Sequence, residues 1–348
     1  MFVFSHHRWA MSTHGFLRKR LDGGGTGRYG VANDRMVRLK EGEWMEMKRE
    51  WITYEDEEAW LDARVLDVTS TEVSALFGMC PYMTLYDLWH RKRDEYRVTI
   101  TQTERMTWGK RLEKAIATGV AEEQEWNIRA FNQYGRIPSL RVGASFDYRI
   151  LGDPKAVLEI KCVDSWIAKN QWDFKEGIVP PHIDMQVQHQ MLVSGLDRAF
   201  IAVLVGGNAL HLVDVKKNME VHSSIVTEVT KFWQTIEQNQ APKPDFERDA
   251  KFIVSQNQYA EPNKVVEEGD NPILTALCAS YKEAGAAETA AAKRKAGVKA
   301  ELLTLIGDAE KVKLNGFTIS AGMRAEVPVS YIRKATRDFR ITPKKGKE

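Results

Sequence analysis

At 348 residues, 43% hydrophobic and 28% charged, the chain can bury a large core in one domain or two, which excludes an intrinsically disordered polymer. No run approaches the roughly 18 consecutive apolar residues of a membrane helix. Three scattered cysteines (Cys80, Cys162, Cys278) with no CxxC pair exclude a disulfide framework and a zinc knuckle, and a net charge of +2 does not by itself point to a polyanionic partner.

Residues 1–50 mix glycines, basic residues and little hydrophobic period, and read as a flexible leader without the basic-then-apolar order of a secretory signal. With reduced cysteines this predicts a cytoplasmic protein. A capped start at Thr53 to Glu57 opens a helix through Trp60 and Leu61. Ser70 or Thr71 opens a second before Val73, Leu76 and Phe77, and a third begins near Thr84. Between Trp108 and Trp126, Leu112, Ile116 and Val120 recur every four residues, the spacing of one buried helical face.

The period then changes. Val142 to Ile150 reads as one strand, Gly152-Asp153-Pro154 as a turn and Val157 to Val163 as a second strand, making a hairpin. A helix follows from His182 to Val193, then a second hairpin, Phe200 to Val205 and Ala209 to Val215, around Gly206-Gly207-Asn208. Val221 to Gln238 is amphipathic. After the Pro242 and Pro244 breaks, residues 272–306 are rich in Ala, Lys and Glu and favour one or two long helices. A strand over Leu314 to Ser320 is expected to pair with Ala325 to Val329. The domains expected are a leader (1–50), a core (51–245) and a helical and small β appendage (262–348). Its last 18 residues hold seven Lys or Arg, a solvated tail or a polyanion contact.

Chemistry concentrates in Leu158-Glu159-Ile160-Lys161-Cys162. Side chains alternate along a strand, so Glu159 and Lys161 share one face while Leu158, Ile160 and Cys162 enter the core from the other. Asp147, at the close of the preceding strand, can be brought beside Glu159 by the hairpin. Two neighbouring carboxylates repel unless a cation bridges them, and hard oxygen ligands suit Mg²⁺, with Mn²⁺ as a substitute. Such a cation can polarise a phosphoryl oxygen while Lys161 handles the attacking water, which is phosphodiester hydrolysis. Glu113 sits one position past the buried stripe and flanks the core.

These residues stand in the company of further motifs. Trp60 to Arg64, Thr69-Ser70-Thr71-Glu72-Val73, Gly78 and Pro81-Tyr82, then Trp108-Gly109 with Glu113, Ser145-Phe146-Asp147-Tyr148, Glu159-Ile160-Lys161-Cys162 and Gln186-Val187-Gln188 with Met191 occur in that order. In this order and spacing the chain resembles the phage lambda exonuclease and YqaJ-like viral recombinase family of PD-(D/E)xK nucleases, over roughly residues 57–215. Phe146 and Tyr148 stand where the family has Pro and Gly. The resemblance implies an α/β fold, a restriction-endonuclease-like core with a mixed central β-sheet flanked by helices. It implies Asp147, Glu159, Glu113 and the Ile160 carbonyl as metal ligands, Lys161 and Gln186 as catalytic partners, and Arg64, Thr71 and Gln188 at a DNA 5′-phosphate.

The activity implied is Mg²⁺-dependent 5′-to-3′ digestion of linear double-stranded DNA, leaving 3′ overhangs for a single-strand annealing protein. A homo-oligomeric ring, no membrane partner and a bacterial host cytoplasm go with it. An endonuclease, a nuclease of opposite polarity or a catalytically silent DNA-binding module would use the same core.

Overall fold

The computed structural model describes residues 36–38, 44–95, 102–328, 330 and 337–342, and divides into two compact units, residues 1–251 and 252–348. In the first unit, β1 (Met36–Arg38) pairs with β2 (Trp44–Glu46), and β3 (Glu50–Ile52) follows. The expected leader is thus shorter than residues 1–50. Met47 is 3% exposed in the core and Arg49 donates to the Val193 and Leu192 carbonyls, which ties this stretch to the fold. Residues 1–35 of that leader lie outside the described residues.

Helix α1 (Glu57–Val65) starts at Asp56, whose carboxylate accepts the Ala59 N–H at 2.7 Å, inside the expected capped start over Thr53 to Glu57. Then come β4 (Val68–Thr69), α2 (Val73–Leu76), α3 (Leu85–Arg93), capped by Thr84, and α4 (Glu104–Glu123), capped by Thr103. Strands β5 (Asn127–Ala130), β6 (Tyr134–Ile137), β7 (Val142–Ala144), β8 (Tyr148–Leu151) and β9 (Ala156–Val163) lead to α5 (Ser165–Gln171) and α6 (Pro181–Ser194). The hairpin β10 (Arg198–Val205) and β11 (Ala209–Lys216) precedes α7 (Met219–Glu237) and α8 (Ala250–Gln256).

Two sheets result. One has the order β11-β10-β9-β8-β5, antiparallel except for the parallel pair β9-β10, the other β3-β6-β7-β4, where only β4-β7 is parallel. This is the mixed α/β architecture expected from sequence. The expected strand Val142 to Ile150 is two strands: β7 belongs to the smaller sheet and β8 to the larger, and Ser145-Phe146-Asp147 crosses between them.

Helices cover both faces of the larger sheet. Ile116, Ala117 and Val120 of α4 pack on Ile150, Leu158, Ile160, Phe200 and Ala202. On the other face Val187 and Met191 of α6 and Ile225 and Val229 of α7 join Val157, Ala199, Ile201 and Val203. Full burial of each such side chain contributes about 1.5–3 kcal/mol before entropy is counted. Helix α6 also meets Ile137, Val142 and Ala144 of the smaller sheet, and every residue from Met185 to Val193 is buried. A helix buried all round must satisfy its polar side chains internally, and this one holds Gln186, Gln188, His189 and Gln190.

In the second unit α9 (Pro272–Ile306) is one helix of 35 residues, followed by β12 (Lys311–Leu314) and β13 (Phe317–Ser320). The partner of the expected strand is therefore Lys311–Leu314 and not Ala325 to Val329. The two-residue Asn315-Gly316 loop, with Gly316 at φ +87°, closes that hairpin. Arg337 donates to the Asn257 and Tyr259 carbonyls and Arg340 pairs with Asp338, whereas Arg333, Lys334, Lys344, Lys345 and Lys347 of the basic tail lie outside the described residues. Among the described residues no helix is long and apolar enough to cross a membrane.

Candidate active site

The β8-β9 ladder ends at Tyr148↔Leu158, and one further step of the same register sets Asp147 opposite Glu159, whose side chain meets α6. Where the backbone ladder stops, the Asp147 carboxylate takes over and accepts the Ile160 N–H at 2.7 Å. The amide and carbonyl of a strand residue leave the backbone on the same edge, so the Ile160 carbonyl also faces Asp147. Phe146, in place of proline, is 7% exposed and stacks on Phe131 at 4.4 Å, pinning the crossing between sheets. Gly143, just before it, lies against the Tyr134 ring, where a Cβ would come within 2.0 Å of the hydroxyl.

Glu159 is only 3% exposed. Its Oε1 accepts from the Lys161 ammonium and from Gln186 Nε2 at 2.6 Å, and its Oε2 accepts from Gln190 Nε2 at 2.7 Å. Burial holds the Asp147 carboxyl well above the usual carboxylate range, Glu159's charge adds to the shift, and Lys161 opposes it. Glu113 is raised too, by burial first and then by Glu159. Burial works against the Lys161 charge, but Glu159 and Asp147 outweigh it and raise its pKa. Three carboxylates and one ammonium share a single field.

Asp147, Glu159 and the Ile160 carbonyl form an all-oxygen donor set where the β8-β9 ladder ends, which fits a hard divalent cation. Among the described residues, however, no three His, Cys, Asp or Glu side chains converge closely enough to hold a metal as they stand. Glu113, the third expected side-chain ligand, is thus not brought to one point with Asp147 and Glu159. Its helix, α4, covers the face opposite Glu159, and Glu113 acts on the pair through its charge.

A second cluster forms at the end of α1. The Arg64 guanidinium stands 3.4 Å from Thr71 Oγ1 and 4.6 Å above the Trp60 ring. Beneath it, Glu72 accepts the Thr69 N–H and hydroxyl at 2.9 Å and the Lys92 ammonium at 2.8 Å. Burial would raise the Glu72 carboxyl, but Lys92 and Thr69 more than offset this and lower it. Lys92, 5% exposed, also donates to the Arg64 carbonyl. Lys92 escapes sequence reading because it lies in the basic run His90 to Arg93, which looks like a solvated helix end.

Gln188 does not join this cluster. It is 3% exposed, its Nε2 donates to the Lys216 carbonyl and its Oε1 accepts the Asn218 N–H, so it latches α6 to the β11–α7 junction. The 5′-phosphate assignment is corrected for this residue, because a buried amide with both ends satisfied by backbone has nothing to offer a ligand. Gln190, passed over in the sequence, reaches Glu159 instead. The signal was there: Gln186 and Gln190 lie four residues apart, on one helical face.

Residues 59–197 match the family model described as YqaJ-like viral recombinase domain. A protein of Bacillus subtilis (strain 168) described as uncharacterized protein YqaJ is 27% identical over 213 residues, 60% of this chain and 66% of that relative. The chain thus spans just under two thirds of the curated relative's length. Among solved structures, an alkaline exonuclease from Laribacter hongkongensis is similar at 21% identity and a TM-score of 0.44, covering 56% of this chain and 99% of that one. A phage-related exonuclease from Haemophilus somnus 129PT is similar at 13% identity and a TM-score of 0.38, covering 50% and 96%. Arg64, Glu113, Asp147, Glu159, Lys161 and Gln186 all lie within the segment that is similar to the YqaJ-like viral recombinase domain.

Proposed function

We propose that this protein is a deoxyribonuclease, a Mg²⁺-dependent exonuclease that digests one strand of linear double-stranded DNA from the 5′ end and leaves 3′ overhangs. The observation that carries the reading is Asp147 and Glu159 opposed in register, with the Lys161 ammonium bonded to Glu159. Asp147, Glu159 and the Ile160 carbonyl are the residues to hold the cation. When bound, a divalent cation supplies Lewis-acid polarisation of the scissile phosphate and an acidified water. Lys161, kept charged by its carboxylate neighbours, orients the attacking water and offsets charge developing on phosphate oxygens. Gln186 holds Glu159 from α6, and Arg64 with Thr71 receives the 5′-terminal phosphate, as a guanidinium and a hydroxyl suit it. Mn²⁺ replaces Mg²⁺, a single-strand annealing protein takes the product, a homo-oligomeric ring encloses the duplex, and the work is done in the bacterial cytoplasm.

A second reading, a module that holds DNA without cutting it, draws on one observation: Glu159 is fully engaged by Lys161, Gln186 and Gln190. End-labelled linear duplex with Mg²⁺ separates the two. Mononucleotides released from the 5′ end by the wild type and not by Glu159→Ala support the nuclease; equal activity of the two proteins overturns the site.

A further inference from the structure

We propose that Gln190 is a positioning residue that clamps the two carboxylate-bearing segments to one another. The role rests on reading Asp147 and Glu159 as the metal-holding pair. Gln190 is 1% exposed in the middle of α6, and its single NH₂ group donates twice, to Glu159 Oε2 at 2.7 Å and to the Ser145 carbonyl at 3.1 Å. Ser145 lies two positions before Asp147, in the crossing from the smaller sheet to the larger. One amide therefore fixes the rotamer of one acid and the backbone approach of the other. Gln186 lacks this reach: it touches the same carboxylate, at Oε1, and its bond is to Glu159 alone among those formed by its amide NH₂.

The far end of Gln190 sharpens the argument. Its Oε1 is buried and, among the described residues, has no hydrogen-bond partner. A buried acceptor left unmade is costly, whereas methionine would fill the same volume without that cost. What methionine cannot supply is the bifurcated donor, so the chemistry gained at this position lies in the NH₂ group.

Replacing Gln190 by methionine separates the clamp from simple packing. The expected result is a loss of about tenfold or more in both Mn²⁺ affinity, measured by calorimetry without DNA, and kcat on linear duplex, the size usual for partners that orient metal ligands. KM for DNA stays within about twofold, because Gln190 does not touch the strand. In a Glu159→Gln background, Gln190→Met gives no further loss of Mn²⁺ affinity, since the two act as one unit. Should Gln190→Met fail to fold, the wild type carries the test: the Gln190 side-chain amide resonances shift on Mg²⁺ titration. Unchanged Mn²⁺ affinity and kcat in Gln190→Met beside an inactive Glu159→Ala overturn the clamp and leave the nuclease standing, as do amide resonances blind to Mg²⁺. Full activity of Glu159→Ala overturns the nuclease reading and the clamp together.

Discussion

Trp60 and Ser145 lie 85 positions apart in the chain, and the indole N–H of the first donates to the hydroxyl of the second at 3.1 Å. This bond joins the two clusters. On one side Trp60 carries the Arg64 guanidinium above its ring; on the other, Ser145 leads into Asp147 and gives its carbonyl to Gln190, which holds Glu159. A continuous set of contacts runs from the Arg64–Thr71 cluster to the carboxylates.

Trp60→Phe keeps an aromatic face under Arg64 and deletes only the N–H. A hydrogen bond of this kind contributes about 1 kcal/mol, so single-turnover cleavage of 5′-phosphorylated duplex is expected to slow about fivefold. A 5′-hydroxyl duplex, which does not engage Arg64, slows less. Equal slowing on the two ends would show that the Trp60–Ser145 bond holds the fold and does not communicate between the clusters.

Arg64→Ala removes the charge itself. Charge-assisted bonds contribute about 1.5–3 kcal/mol, which predicts that the preference for phosphorylated over hydroxyl ends falls by roughly 10- to 100-fold, read as the ratio of kcat/KM values. An unchanged ratio takes away the 5′-end polarity, because Arg64 is the guanidinium placed over Thr71.

Much of this was legible in the sequence, for identifiable reasons. Alternation gave the shared face of Glu159 and Lys161, the Gly152-Asp153-Pro154 turn gave the hairpin, and from these came the opposition of Asp147 and Glu159. Period could not reveal the change of sheet between Ala144 and Tyr148, since β7 and β8 are only three and four residues long and the three-residue crossing carries no Gly or Pro to mark a break. The short strands Glu50–Ile52, Val68–Thr69 and Tyr134–Ile137 are too brief to alternate visibly, so the smaller sheet went unread. The Asn315-Gly316 dipeptide was a readable hairpin signal that the longer apolar run beyond it masked. Gln188 was assigned to the phosphate and Gln190 to nothing because α6 is buried from Met185 to Val193, and only the neighbours decide which glutamine meets a carboxylate.

Gln188→Met tests the latch between α6 and the β11–α7 junction. Both backbone partners of Gln188, the Lys216 carbonyl and the Asn218 amide, lose their bond in a buried place, which costs about 1–3 kcal/mol. Urea denaturation is expected to show that loss, while the ratio of activities on phosphorylated and hydroxyl ends stays at the wild-type value. A changed ratio would return Gln188 to the phosphate site.

His189 and His222 set a pH limit on the fold. His189 is wholly buried with both ring nitrogens unpartnered among the described residues, and burial, with His222 adding to it, pushes its pKa down to about 3. Burial also pushes His222 down to about 4, with the charge of Lys217 adding to the shift. The unfolded chain binds these protons near pH 6.5, so below that value it is the unfolded state that gains protons. The stabilisation by the two neutral rings is complete above about pH 6.5 and is lost as pH falls toward the folded values, by about 1.4 kcal/mol per ring for each pH unit. Between pH 7.5 and 5.5 the pair contributes a loss of about 3 kcal/mol. Asp147, Asp67 and Asp87, whose carboxyls are raised in the folded protein chiefly by burial, act in the opposite sense, so the comparison is made between variant and wild type at each pH. His189→Leu removes one titrating ring without breaking a hydrogen bond, and its unfolding free energy from urea denaturation is expected to fall about 1.4 kcal/mol less than the wild type's over that interval. Parallel pH profiles for the two proteins would mean that His189 is no drain on the acid stability of the fold.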